Sequence, residues 1–106
     1  MANYLLEVKY SAEGLKGLQK DGGSGRREAA ARAIKSIGGH MDSIYFAFGD
    51  HDVIAIFEAP DNATAAALAI GASSSGLVHT KVTPLLTVEE VDQAVKKSVT
   101  YRAPGK

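Results

Sequence analysis

The chain has 106 residues, 45% of them hydrophobic and 23% charged, and its 12 basic and 12 acidic side chains cancel. That length suits one domain, and zero net charge lacks the basic excess of a nucleic-acid binder while doing little to oppose self-association. With no cysteine, disulfides, thiolate nucleophiles and Cys-ligated zinc or iron–sulfur centres are excluded.

Tyr4-Leu5-Leu6-Glu7-Val8-Lys9-Tyr10 alternates well. Tyr4, Leu6, Val8 and Tyr10 share one face and Leu5, Glu7 and Lys9 the other, the pattern of a strand. Glu7 and Lys9, with Glu13 and Lys16 after them, also interrupt any signal-peptide core. Ser11 offers an N-cap to a helix over Ala12–Lys20 that Gly14 and Gly17 weaken. Asp21-Gly22-Gly23-Ser24-Gly25 is expected to be a loop or a break in the helix. It precedes Arg26-Arg27 but lacks the Gly-Lys-Ser/Thr of a phosphate loop, so a linker or lid is the expectation. Helix resumes from Arg26 to Ile37, with Ala30, Ala33, Ile34 and Ile37 on one face, and Gly38-Gly39 ends it in the left-handed region.

Ile44–Phe48 and Val53–Glu58 are apolar runs rich in aromatic and β-branched residues, parted by Gly49-Asp50-His51-Asp52. They read as a hairpin whose aromatics form the centre of the core. Pro60 closes the second run, and Asp61 or Asn62 caps a helix over Ala63–Ala72 that is almost entirely small and suited to close packing. Leu77–Leu86 reads as the fourth strand, with Val78, Thr80 and Val82 on one face, His79 and Lys81 on the other, and Pro84 at an edge or strand end. Thr87-Val88-Glu89-Glu90 is a capping box opening a last helix to about Ser98, striped by Val88, Val91 and Val95 as core or interface. The expected organisation is one domain over residues 1–98 with a loose tail over 99–106. No apolar run approaches the roughly 18 residues of a membrane span, so the expected location is the cytoplasm, with no membrane or nucleic-acid partner.

The order is β-α-β-β-α-β plus a terminal helix, an α+β ferredoxin-like arrangement with an antiparallel sheet in the order 4-1-3-2. With that order in place, the chain resembles the GYD-domain family. The cues are the opening strand into Ser11, Gly38-Gly39, the run Gly49–Asp61, the alanine-rich helix and the Thr87 capping box, together covering about residues 3–95. The family's Gly-x-Tyr-Asp motif has His51 at its aromatic position here. The resemblance implies a dimeric α/β barrel in which two sheets pack face to face. Its wider superfamily holds monooxygenases, isomerases, decarboxylases, haem-degrading enzymes and non-catalytic binding proteins.

The helices are expected on the face bearing Tyr4, Leu6, Val8, Ile44, Phe46, Phe48, Val78 and Val82. The helix-free face then carries Glu7, Lys9, His79, Lys81, Tyr45, Ile54 and Ile56, too apolar for full solvation and too charged for a closed core. That combination fits a homo-dimer or higher oligomer with a polar pocket for a small molecule. Glu7 and Lys9 should approach Lys81 and His79, either as a salt-bridge ladder or as an acid–base and anion-holding group. In the catalytic reading His79 is the acid or base, Glu7 is the carboxylate beside it, Lys9 and Lys81 hold negative charge, and Tyr10 or Tyr45 donates a hydrogen bond. His51, Asp52, Tyr10 and His79 should gather at one end of the sheet, as a structural hairpin or as a base with its orienting partner. No ligand spacing is diagnostic of a metal, so none is assigned. No haem, flavin or nucleotide motif is present, and the cofactor is left open. Whether the protein is a binding module or a cofactor-independent enzyme acting on a small aromatic or anionic substrate is open at this point.

Overall fold

The computed structural model describes residues 1–106. Its elements are β1 (Ala2–Tyr10), α1 (Ala12–Ser36), β2 (His40–Phe46), β3 (Val53–Ala59), α2 (Asn62–Ser73), β4 (Val78–Leu85) and α3 (Val88–Ala94). The four strands form one antiparallel sheet ordered β2-β3-β1-β4, the expected ferredoxin-like topology read from the other edge. No helix is long and apolar enough to cross a membrane.

Alternation in β1 and β3 builds the core. Tyr4, Leu6, Val8 and Tyr10 alternate inward from β1, and Val53, Ala55, Phe57 and Ala59 from β3, joined by Ile34 and Ala65 from the helices. Tyr4 faces Phe57 in the strand register, and their rings stack with centroids 5.3 Å apart. The Tyr4 hydroxyl donates to Asn62 Oδ1 at 2.7 Å, so this fully buried phenol leaves no unpaired polar atom under the start of α2.

Of the hairpin aromatics, only Phe57 reaches the centre of the core. Tyr45 and Phe46 lie exposed on β2, an edge strand, and Phe48 is fully exposed in the 47–52 connection beyond it. Phe48 was expected on the helix-covered face, but β2 ends at Phe46 and the chain leaves the sheet there. A bulge between Met41 and Ser43 further distorts this edge, while β4 at the opposite edge carries Pro84, which has no amide to offer.

The glycine-rich stretch is not a linker. Helix runs through Gly23–Gly25 and breaks at one residue, Gly22, with φ 72° and ψ 170°. Propensity is a weak prior, and neighbours override it: Arg26 pairs with Asp21 across the break at 3.5 Å, and Gly23 lies beside the Phe46 ring. The kink divides α1 into two parts with different anchors. At the start, Gly14 sits where a Cβ would meet the Leu77 carbonyl and the Tyr10 ring, and that carbonyl accepts from the Ser11 amide at 2.9 Å. At the far end Ile34 is buried, and Gly38 and Gly39 donate back to Lys35 and Ile34 in a Schellman-type ending. Ser11, Asp61 and Thr87 cap the three helices as the sequence suggests, Thr87 through a complete capping box.

Residues 86–102 are all exposed, Val88, Val91 and Val95 included, so the valine stripe of α3 is not core within one chain. The radius of gyration, 16.8 Å, exceeds the roughly 13 Å of a compact chain of this length because this segment stands off the domain.

Two outcomes follow from the helix geometry. The Gly22 backbone lies in a region almost reserved for glycine, so Gly22→Ala is expected to cost about 1–3 kcal/mol in chemical denaturation. Gly17→Ala, at a site with nothing within 4 Å of the new Cβ, is expected to be neutral or stabilising. The Asp61 carboxyl is held below its ordinary pKa, first by the Thr64 hydroxyl and then by the Thr64 amide. Its stabilisation is therefore fully present at neutral pH and lost as pH falls through the lowered value. Melting curves of Asp61→Asn against wild type should differ most near neutrality and converge in acid.

Candidate functional site

Strand register sets the helix-free face out in rows. His79 stands opposite Lys9; Lys81, Glu7, Ile54 and Tyr45 form the next row; Thr83, Leu5, Ile56 and Ser43 form the one after. All seven residues expected on this face are there. Tyr45 is 70% exposed and Ile54 37%, so an apolar strip lies on one side of the face and a charged strip on the other.

The charges pair toward the hairpin connection rather than toward β4. His51 Nδ1 lies 3.2 Å from Glu7 Oε2, and Lys9 Nζ lies 3.4 Å from Asp52 Oδ1. Lys9 also donates to the Gly49 carbonyl at 3.3 Å. Both pairs are partly screened from water, the Asp52 and Glu7 side chains more than their partners. His79 and Lys81 belong to neither pair and stay exposed beside them. A carboxylate beside one imidazole nitrogen favours one ring orientation and leaves the other nitrogen turned away from it. Two lysines and a second imidazole close by favour a negatively charged group.

Asp52 organises this end. Its Oδ2 accepts from the Tyr10 amide at 2.9 Å while its own amide donates to the Val8 carbonyl at 2.7 Å and its carbonyl accepts from Ala47. The 47–52 connection is thereby tied to the end of β1. Tyr10 contributes its backbone here, but its ring is buried on the opposite face among the core residues. His51, Asp52 and the Tyr10 amide thus converge, whereas the Tyr10 phenol and the His79 ring lie on opposite sides of the sheet. His40 pairs loosely with Asp42 at 3.6 Å on the exposed β2 edge, at the opposite end. No three His, Asp or Glu side chains stand together in a way that would hold a metal ion.

Sequence reasoning missed the Glu7–His51 pair. The signal was the β1–β3 pairing, which sets Glu7 opposite Ile54 and so within reach of the residues just before β3. It also missed that the two main cavities are lined by residues of the helix side rather than of this face.

Removing the Asp52 carboxylate leaves the Tyr10 amide without its acceptor and the Lys9 ammonium with the Gly49 carbonyl alone. Asp52→Ala is expected to lower stability by about 1–3 kcal/mol. Lys9→Met, at a half-exposed pair, should cost under about 1 kcal/mol. Urea denaturation of both variants at neutral pH checks the difference.

A family model described as the GYD domain matches residues 4–95. No curated protein and no solved structure matches the chain.

Proposed function

The chain belongs to the GYD-domain family, and on that premise we propose that it is a homo-oligomeric small-ligand-binding protein of the cytoplasm. In this reading two copies meet through the helix-free face of the sheet and enclose the ligand there. The observation that carries it is the row Tyr45–Ile54–Glu7–Lys81, in which exposed apolar groups run directly into ordered charges on one sheet face. An apolar strip of this kind is what a second sheet covers, at the roughly 10 Å spacing of stacked sheets. The charged strip then becomes the polar wall of the enclosed space. Lys9, Lys81 and His79 suit an anionic group on the ligand, and Leu5, Ile54 and Ile56 suit its apolar part.

The Glu7–His51 contact at 3.2 Å favours a second reading, a cofactor-independent enzyme on the same face. There His51 serves as general base with Glu7 as its orienting partner, and Lys9, Lys81 and His79 hold developing negative charge. Tyr45 is the phenol on the correct side of the sheet to donate a hydrogen bond.

Native mass spectrometry of freshly purified protein is the test. A dimer or larger oligomer is expected, and Ile54→Lys should weaken association tenfold or more, roughly 1.4 kcal/mol, with the far-ultraviolet circular dichroism unchanged. Extra mass on the oligomer that disappears in Lys9→Met/Lys81→Met would support the binding role. A wild-type protein that stays monomeric at micromolar concentration would overturn the reading.

A further inference from the structure

On the far side of the sheet, α2 lies over β4 and the second part of α1 over β2. The central strands between them are roofed by small side chains. Ala30 and Ala33 of α1 and Ala72 of α2 face Leu6, Val8 and Val53 across a cavity of about 120 Å³. The alanine-rich α2 approaches β4 closely, as expected, with Thr80 reaching the Ala69 carbonyl at 3.2 Å, and its short side chains leave space only toward α1. A larger groove of about 570 Å³ between α1 and α2 adjoins the cavity, and Tyr10 and Arg26 are among the residues that line both.

Two polar groups in this wall lack a full complement of partners. Arg26 is half-buried, and its pair with Asp21 is a long 3.5 Å contact to a more exposed carboxylate. Tyr10 is nine-tenths buried, its amide bonds Asp52, and its hydroxyl has no partner within the chain. That hydroxyl keeps contact with solvent, and Tyr10 lines both the cavity and the groove. Thr80, the other polar side chain in the wall, is already engaged with Ser73 and the Ala69 carbonyl. A guanidinium and a phenol at the edge of an otherwise apolar chamber match a carboxylate on an apolar body.

We propose that the space between α1, α2 and the sheet is a binding site for a small apolar monocarboxylate. Its apolar part lies against Val8, Val53 and Leu68, and its carboxylate is held by Arg26 and Tyr10. An apolar cavity of about 150 Å³ accommodates a benzene ring; this one, at about 120 Å³, is somewhat smaller, so the occupant is a short alkyl chain or a ring with one end reaching the groove. This site is separated from the helix-free face by the sheet and holds whether or not the chain forms oligomers there.

The test is an NMR titration of the full chain with sodium benzoate and with benzyl alcohol as its uncharged analogue. Benzoate is expected to give saturable methyl shifts at Val53 and Leu68, and benzyl alcohol to bind about tenfold or more weakly. Arg26→Gln, at a partly exposed position, should reduce benzoate to the affinity of the alcohol. Ala30→Leu should fill the space and abolish binding of both, with the native mass unchanged. If Ala30→Leu does not fold, Arg26→Gln carries the decision. Shifts that never saturate, that fall on Tyr45 and Ile54, or that persist undiminished in Arg26→Gln would overturn the assignment.

Discussion

Everything in this molecule depends on the register of β1. It is one of the two central strands, paired along nearly its whole length with β3 on one side and β4 on the other. A slip of one residue would carry Tyr4, Leu6 and Val8 to the helix-free face and Glu7 and Lys9 into the core. Asp52 fixes that register at one end through the Val8 carbonyl and the Tyr10 amide. The Tyr4–Phe57 stack, anchored by Asn62, fixes it at the other. Between these two locks the strand has only one way to lie.

The same register gives the sheet two unlike sides. One presents paired charges beside exposed apolar groups, and the other a core that thins toward an alanine-roofed cavity. The kink at Gly22 belongs to the second side. It lets the two parts of α1 begin against Leu77 and Tyr10 and end beside β2 with Ile34 buried, and Arg26 follows one turn after the break. A helix interrupted by a true loop would lose the Asp21–Arg26 pairing that holds the guanidinium near the cavity.

Much of this was legible in the residues because it follows from period and punctuation. Alternation in Tyr4–Tyr10 and Val53–Ala59, the caps at Ser11, Asp61 and Thr87, and the glycines after Ile37 are local signals, and together they set the sheet order. The residues of the helix-free face followed from strand parity alone. At Gly22–Gly25 the expected break in the helix is present, but at Gly22 alone and not as a linker, because composition reports the freedom of a segment and not the neighbours that remove it. Phe48 misled because the hydrophobic run outlasts the strand that carries it. The pairing of Glu7 with His51 depends on the path of an irregular connection, which no periodicity encodes. The cavity depends on how far two helices stand apart, and alanine is compatible with both close and distant packing.

The two rims of the sheet set the geometry of any assembly. A free strand edge is an open-ended template, since each copy added there exposes another edge and growth need never stop. Here one rim is bent by the bulge at Met41–Ser43 and the other is interrupted by Pro84, so both are poor templates for a further strand. Self-recognition is left to broad surfaces, and a face that meets its own copy about a two-fold axis is consumed in doing so. In the proposed assembly through that face the bodies would be of finite size and not fibres, and Tyr45 and Ile54 would be exposed at zero net charge without the hazard those residues carry beside an unguarded edge.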